Sequence, residues 1–86
     1  MAYRIEIKRT AQKDLLSLNQ DIKSRIIEII KSLAQKPKPI GSIKLKGSKN
    51  QFRFRSGDYR ILYEVYEKER LIIIFRIKHR KDSYKK

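Results

Sequence analysis

The sequence contains no cysteine, so neither a disulfide framework nor a thiolate metal site can form. It has a single histidine, which excludes a multi-histidine metal centre. No apolar run approaches membrane-spanning length; the longest, Leu71 to Phe75, suits a strand. The opening Met1-Ala2-Tyr3-Arg4-Ile5-Glu6 lacks the apolar core of a signal peptide. A cytoplasmic protein with no membrane association is the expectation. Acid is scarce as well. Nine Asp and Glu stand against 23 Lys and Arg, a net charge of +14 on 86 residues. Between Glu28 and Asp58 there is no acid at all, while Lys31, Lys36, Lys38, Lys44, Lys46, Lys49, Arg53 and Arg55 fall inside that gap. A surface selected only for solubility mixes its signs more evenly. A chain this basic attracts polyanions, nucleic acid first among them.

What is present is enough for one small core. The hydrophobic fraction is 40%, so the 37% of charged residues does not imply disorder. The length suits a single domain, residues 1–86. Tyr3, Ile5 and Ile7 alternate with Arg4, Glu6 and Lys8, which predicts a first strand. Thr10 is placed to cap a helix carrying Ala11, Leu15 and Leu18. Asn19-Gln20-Asp21 interrupts that pattern and offers an N-cap for a second helix. Its stripe is Ile22, Ile26, Ile29, Ile30 and Leu33, and it ends before Pro37.

The second half reads as strands. Gln51 to Tyr63 makes two runs joined by Ser56-Gly57-Asp58, in which Phe52 and Phe54 alternate with Gln51, Arg53 and Arg55. Glu67 to Arg70 is a polar turn, and Leu71 to Lys78 the most apolar strand. The expected fold is α+β, in the order β-α-α-β-β-β. An N-terminal strand and a helical hairpin precede an antiparallel three-stranded meander, with both helices on one sheet face. By parity, Arg53, Arg55, Arg60, Arg76, Lys78 and Arg80 leave the sheet on the uncovered face, with Glu64 the one strand acid beside them. The reading is a phosphate-binding surface; the alternative is a solubilising face without a ligand.

No Ser-His-Asp arrangement, glycine-rich phosphate loop or acid cluster for magnesium is present. Metal-free RNA cleavage needs less: a base for the 2′-hydroxyl, cations for the phosphorane and an acid for the leaving 5′-oxygen. Arginine suits the charge-holding role, and a displaced tyrosine, lysine or histidine the proton transfers. His79 shares the parity of Ile77, which turns it toward the helices. A strand ending there would instead release the ring toward a nucleotide.

Three segments together resemble the RelE/ParE toxin superfamily, on its RelE side. They are Lys44-Leu45-Lys46-Gly47, Phe52 to Tyr63 with its Gly57-Asp58-Tyr59-Arg60 turn, and His79-Arg80-Lys81-Asp82-Ser83-Tyr84. The resemblance covers essentially the whole chain. It implies a type II toxin that cleaves mRNA in the ribosomal A site without metal or cofactor and is neutralised by an acidic antitoxin. Within it, Arg60 and Arg80 match the catalytic arginines and Tyr84 the terminal tyrosine. Arg53 stands where RelE has a functional lysine. Gln51 replaces a second lysine, a candidate base, so that either Lys44, Lys46, Lys49 or His79 supplies the base or turnover is slow. The catalytic set on this reading is Arg53, Arg60, Arg80, Tyr84 and His79. Lys44, Lys46, Lys49, Arg55, Arg76, Lys78 and Lys81 would hold RNA. A ParE-like inhibitor of DNA gyrase and an RNA-binding module without turnover are the alternatives.

Overall fold

The structure, a computed structural model, describes residues 2–81; the role expected of Tyr84 lies outside the described residues. The elements run β1 (Arg4–Ile7), α1 (Arg9–Leu16), α2 (Gln20–Leu33), β2 (Ile43–Lys44), β3 (Gln51–Ser56), β4 (Tyr59–Tyr66) and β5 (Leu71–His79). The strands form one sheet in the order β1-β5-β4-β3-β2. β3, β4 and β5 make the expected antiparallel meander. Two features extend it. The two-residue β2 pairs antiparallel with β3, and β1 lies parallel to β5 at the opposite edge.

Asn19 caps α2 as its position predicts: its Oδ1 accepts from the Ile22 amide at 3.0 Å. The helix buries Ile26, Ile30 and Leu33 and half-buries Ile22, Ile27 and Ile29. Thr10 does not cap α1. The N-cap is Lys8, and Thr10 lies inside the first turn, where its hydroxyl donates to the Phe75 carbonyl at 2.9 Å. The side chain that was expected to start the helix instead ties the helix to the sheet.

Ala11 and Leu15 of α1 join the α2 stripe over one sheet face. There they meet Phe52, Ile61, Tyr63, Val65, Ile72, Ile74 and Ile77. Burying each large aliphatic side chain is worth about 1.5–3 kcal/mol. Tyr63 is fully buried, and its hydroxyl donates to the Pro37 carbonyl at 2.8 Å, which anchors the loop after α2. Lys38 on that loop reaches over the Phe52 ring and pairs with Glu67.

A bulge in β5 decides which side chains meet the core. Leu62 registers with Arg76, but Tyr63 registers with Ile74, so Phe75 is the extra residue. Before the bulge the even positions Ile72 and Ile74 are buried; after it the odd position Ile77 is. An unbroken strand would carry Arg76 and Lys78 into the core with Ile72. The bulge sits where β1 stops pairing, at Ile7↔Ile74. Beyond that point α1 covers the exposed edge. The Asp14 carboxylate accepts from the Ile77 amide at 2.8 Å and from Arg76 Nε at 2.9 Å. A backbone donor with no strand beside it is thereby satisfied by a helix side chain.

Candidate nucleic-acid interface

With the helices on one face, the register fixes what the other presents. Arg55, Arg60 and Lys78 oppose one another across β3, β4 and β5. The next row holds Arg53, Leu62 and Arg76, with Ile43 of β2 beyond Arg53. The third holds Gln51, Glu64, Ile73 and Glu6, and the fourth Tyr66, Leu71 and Arg4. The basic residues therefore crowd the end of the sheet near the β3–β4 turn. Like charges directly opposed across strands cost about 0.2–1 kcal/mol per pair, a cost that folding alone does not require.

The turn itself is tight. Gly57 has φ +58°, the left-handed first position of a type II′ connection, where a Cβ is strained. Asp58 follows it and holds the segment just after β5: its carbonyl accepts from the Arg80 amide at 2.6 Å, and its carboxylate lies 3.8 Å from the Arg80 guanidinium. Arg80 thus sits beside the Arg55–Arg60–Lys78 row. His79 packs edge-on against Tyr59 with ring centroids 4.9 Å apart. Its Nδ1 accepts from the Lys81 amide at 3.0 Å, so the neutral ring carries its proton on Nε2. The pairing with Tyr59 places His79 on the helix-side parity, at the last residue of β5, where the chain turns toward Arg80.

Two expected residues are placed differently from the row. Arg76 belongs to the open face by register, but its guanidinium is engaged by Asp14 in a half-buried ion pair. Lys44 registers with Phe52, so it leaves the sheet on the helix side. Lys46 and Lys49 are exposed in the connection to β3, and Lys81 is exposed after β5. Asp14 is the contributor that sequence reasoning missed. Its one trace in the sequence is that it is the sole acid in α1. Glu64 was foreseen as an acid beside the arginines, but not its partners. Gln51 Nε2 donates to one oxygen at 3.2 Å and the Tyr66 hydroxyl to the other at 3.0 Å. That bond, with burial and the carboxylate's charge, raises the Tyr66 pKa.

A cleft of about 240 Å³ opens between α2 and the β3–β4 turn, lined by Ile22, Arg25, Ile26, Ser56 and Tyr59 among others. It shares with the basic face only the turn that carries Asp58. Among the described residues no three His, Cys, Asp or Glu side chains converge as a metal site would require. Among them, too, no helix is long and apolar enough to cross a membrane.

Comparison with known proteins gives one consistent family. Residues 5–84 match the model of the ParE toxin of type II toxin–antitoxin systems. The RelE1 protein of Methanocaldococcus jannaschii is 34% identical, with 99% of this chain and 98% of that protein covered. Toxin RelG of Mycobacterium tuberculosis is 29% identical over the full length of both. Among solved structures, the RelE–RelB complex of Pyrococcus horikoshii superposes with a TM-score of 0.83 at 35% identity, covering 93% of this chain and 97% of that one. The paired helices over a sheet thus belong to a shared architecture. The chain is a member of the RelE/ParE superfamily, the toxins of type II toxin–antitoxin systems.

Proposed function

We propose that the protein is an endoribonuclease that cuts mRNA in the ribosomal A site, using side chains alone and arresting translation. The observation that carries this reading is the convergence of Arg53, Arg55, Arg60 and Lys78 at one end of the open face, with Arg80 fixed beside them by Asp58. Guanidinium groups from separate strands suit a phosphate whose charge grows as the phosphorane forms. The 2′-oxygen attacks the adjacent phosphorus, and its proton passes to a base. The bond from phosphorus to the 5′-oxygen breaks, leaving a 2′,3′-cyclic phosphate and a 5′-hydroxyl.

In this mechanism Arg53 and Arg60 hold the non-bridging oxygens, and Arg80 completes the cradle from the segment after β5. His79, carrying a proton on both ring nitrogens at this step, gives one to the departing 5′-oxygen and returns to the neutral ring. Gln51 takes no proton at neutral pH, and Lys44 leaves the sheet on the helix side, so the base comes from Lys46 or Lys49. Tyr84 stacks on the nucleotide. Lys46, Lys49, Arg55, Lys78 and Lys81 hold the RNA backbone, while Arg76, engaged by Asp14, shapes the face more than it contacts the message. An acidic antitoxin that covers this face suits the +14 charge. Related toxins crystallise with their RelB antitoxins, as in the complexes from Pyrococcus horikoshii and Mycobacterium tuberculosis.

A second reading has its own support, because the matching family model is named for ParE. A ParE-like protein would inhibit DNA gyrase and leave RNA intact. Two assays separate the readings. Purified ribosomes programmed with a defined message are treated with the protein and the message is probed by primer extension; in parallel, gyrase supercoiling is followed. The nuclease reading expects new 5′ ends within the A-site codon and unimpeded supercoiling. Intact message with blocked gyrase would establish the second reading.

A further inference from the structure

The open face has two unlike halves, and only the first is explained by phosphate. Beyond the Arg53–Leu62–Arg76 row the sheet presents Gln51, Glu64 and Ile73, then Tyr66 and Leu71. Leu62, Ile73, Leu71 and Tyr66 are half-buried there, an apolar and aromatic floor on the face that the helices leave uncovered. Glu64 stands in the middle. On a chain carrying +14, a carboxylate next to arginines would be expected to pair with one. Instead its oxygens accept from neutral groups, Gln51 Nε2 at 3.2 Å and the Tyr66 hydroxyl at 3.0 Å. None of the ion pairs among the described residues involves it. A phosphate is repelled by this group. A nucleobase is not, because base edges present N–H donors that a carboxylate accepts.

We infer that Gln51, Glu64 and Tyr66 form a base-reading subsite that selects guanine in a single-stranded RNA held by the neighbouring arginines. The inference rests on the RNA-binding reading above and adds its specificity. Successive rows on one face are about 7 Å apart along the strands, so a backbone held at Arg53 places a neighbouring base over Leu62 and Ile73. Tyr66 supplies a ring against which a base stacks, a contact worth about 1–3 kcal/mol per base. Glu64 then decides which base. Guanine offers two adjacent N–H donors, N1 and N2, which match the two carboxylate oxygens. Uracil offers a single N–H flanked by carbonyl oxygens that the carboxylate repels. The Gln51 amide and the Tyr66 hydroxyl hold the carboxylate in place, so its aim is set before the base arrives.

The test is binding of short single-stranded RNAs to the full chain, followed by fluorescence anisotropy at fixed salt. The RNAs carry one guanine or one uracil in an otherwise identical sequence and are 2′-O-methylated throughout, so that binding is read without cleavage. The native protein is expected to favour the guanine RNA at least tenfold. Glu64→Gln keeps the shape and removes the charge, and should bring the ratio to within twofold of unity while uracil RNA binds as well or better. Tyr66→Phe keeps the ring but releases the carboxylate, and should lower the ratio by about half or more. Thermal melts of both variants confirm that they fold. Tight binding with no base preference, or a preference that survives Glu64→Gln, overturns the subsite and leaves the RNA-binding reading standing. No binding to either RNA overturns the subsite as well, and the cleavage reading is then decided by primer extension on programmed ribosomes.

Discussion

Individual side chains on the two faces of the sheet answer to different demands, and Tyr63 shows the one set by the core. Burial pushes its pKa from 10.0 up to about 12, with a hydrogen bond from Ser42 pulling the other way. A folded-state value above the unfolded one means that the native state holds its proton longer. The stability tied to that proton is complete below pH 10 and is lost as the pH rises from 10 toward 12. Urea melts across that window should show the native protein weakening more steeply than Tyr63→Phe. The variant, lacking the bond to Pro37, should start about 0.5–1.5 kcal/mol lower at neutral pH. The Arg80–Asp58 pair answers to the other demand. Both side chains are more than half exposed, so the pair contributes little to stability. Arg80→Ala is expected to melt within about 0.5 kcal/mol of the native protein. Its cleavage of ribosome-bound message should nevertheless fall by about 100-fold or more. A large loss of stability with cleavage intact would reverse that assignment.

The elements owe their places to signals of unequal range. α2 was legible because its cap and its stripe are local: Asn19 bonds the residue three positions on, and Ile26, Ile30 and Leu33 recur on one face. The β3–β4 hairpin was legible for the same reason, through Gly57 and the alternation of Phe52 and Phe54 with arginine. The parallel docking of β1 on β5 was not, since nothing near residue 4 records a partner near residue 71. The bulge at Phe75 was hidden too. Arg76, Lys78 and Arg80 could be assigned together by parity, but the same parity would send Leu71 and Ile73 into the core, and the structure buries Ile72 and Ile74 instead. Asp14 is the side chain that stabilises this shift, by meeting both Ile77 N and Arg76 Nε. Asp14→Ala leaves a backbone donor and a guanidinium without that partner and should cost about 2–4 kcal/mol. Asp14→Asn retains one acceptor and should recover a good part of the loss. Equilibrium denaturation of the two variants checks the ordering, and equal stabilities would show that the bulge stands without the clamp.

For the whole molecule, charge and topology act together. The five-stranded sheet gives one face to the core and, among the described residues, leaves the other free of helices, and the register gathers cations from β3, β4 and β5 at one end of it. That convergence was legible from parity alone. Its internal pairing was not, because Asp14 and Asp58 reach Arg76 and Arg80 from elements distant in sequence or across a turn. A body with +14 charge should meet an acidic partner quickly, and the association rate should fall steeply as salt is raised. Stopped-flow mixing with the antitoxin tests this, and a rate indifferent to salt would contradict it. The central claim is narrower: the working surface is the open sheet face, not positive charge in general. Single-turnover cleavage of ribosome-bound message tests it most directly, with Arg60→Ala compared with Lys31→Ala. Each variant removes one positive charge, the first from the basic row and the second from α2 on the helical side. The expected result is a loss of about 100-fold or more for Arg60→Ala and less than a twofold change for Lys31→Ala; equal losses in the two variants would contradict the account.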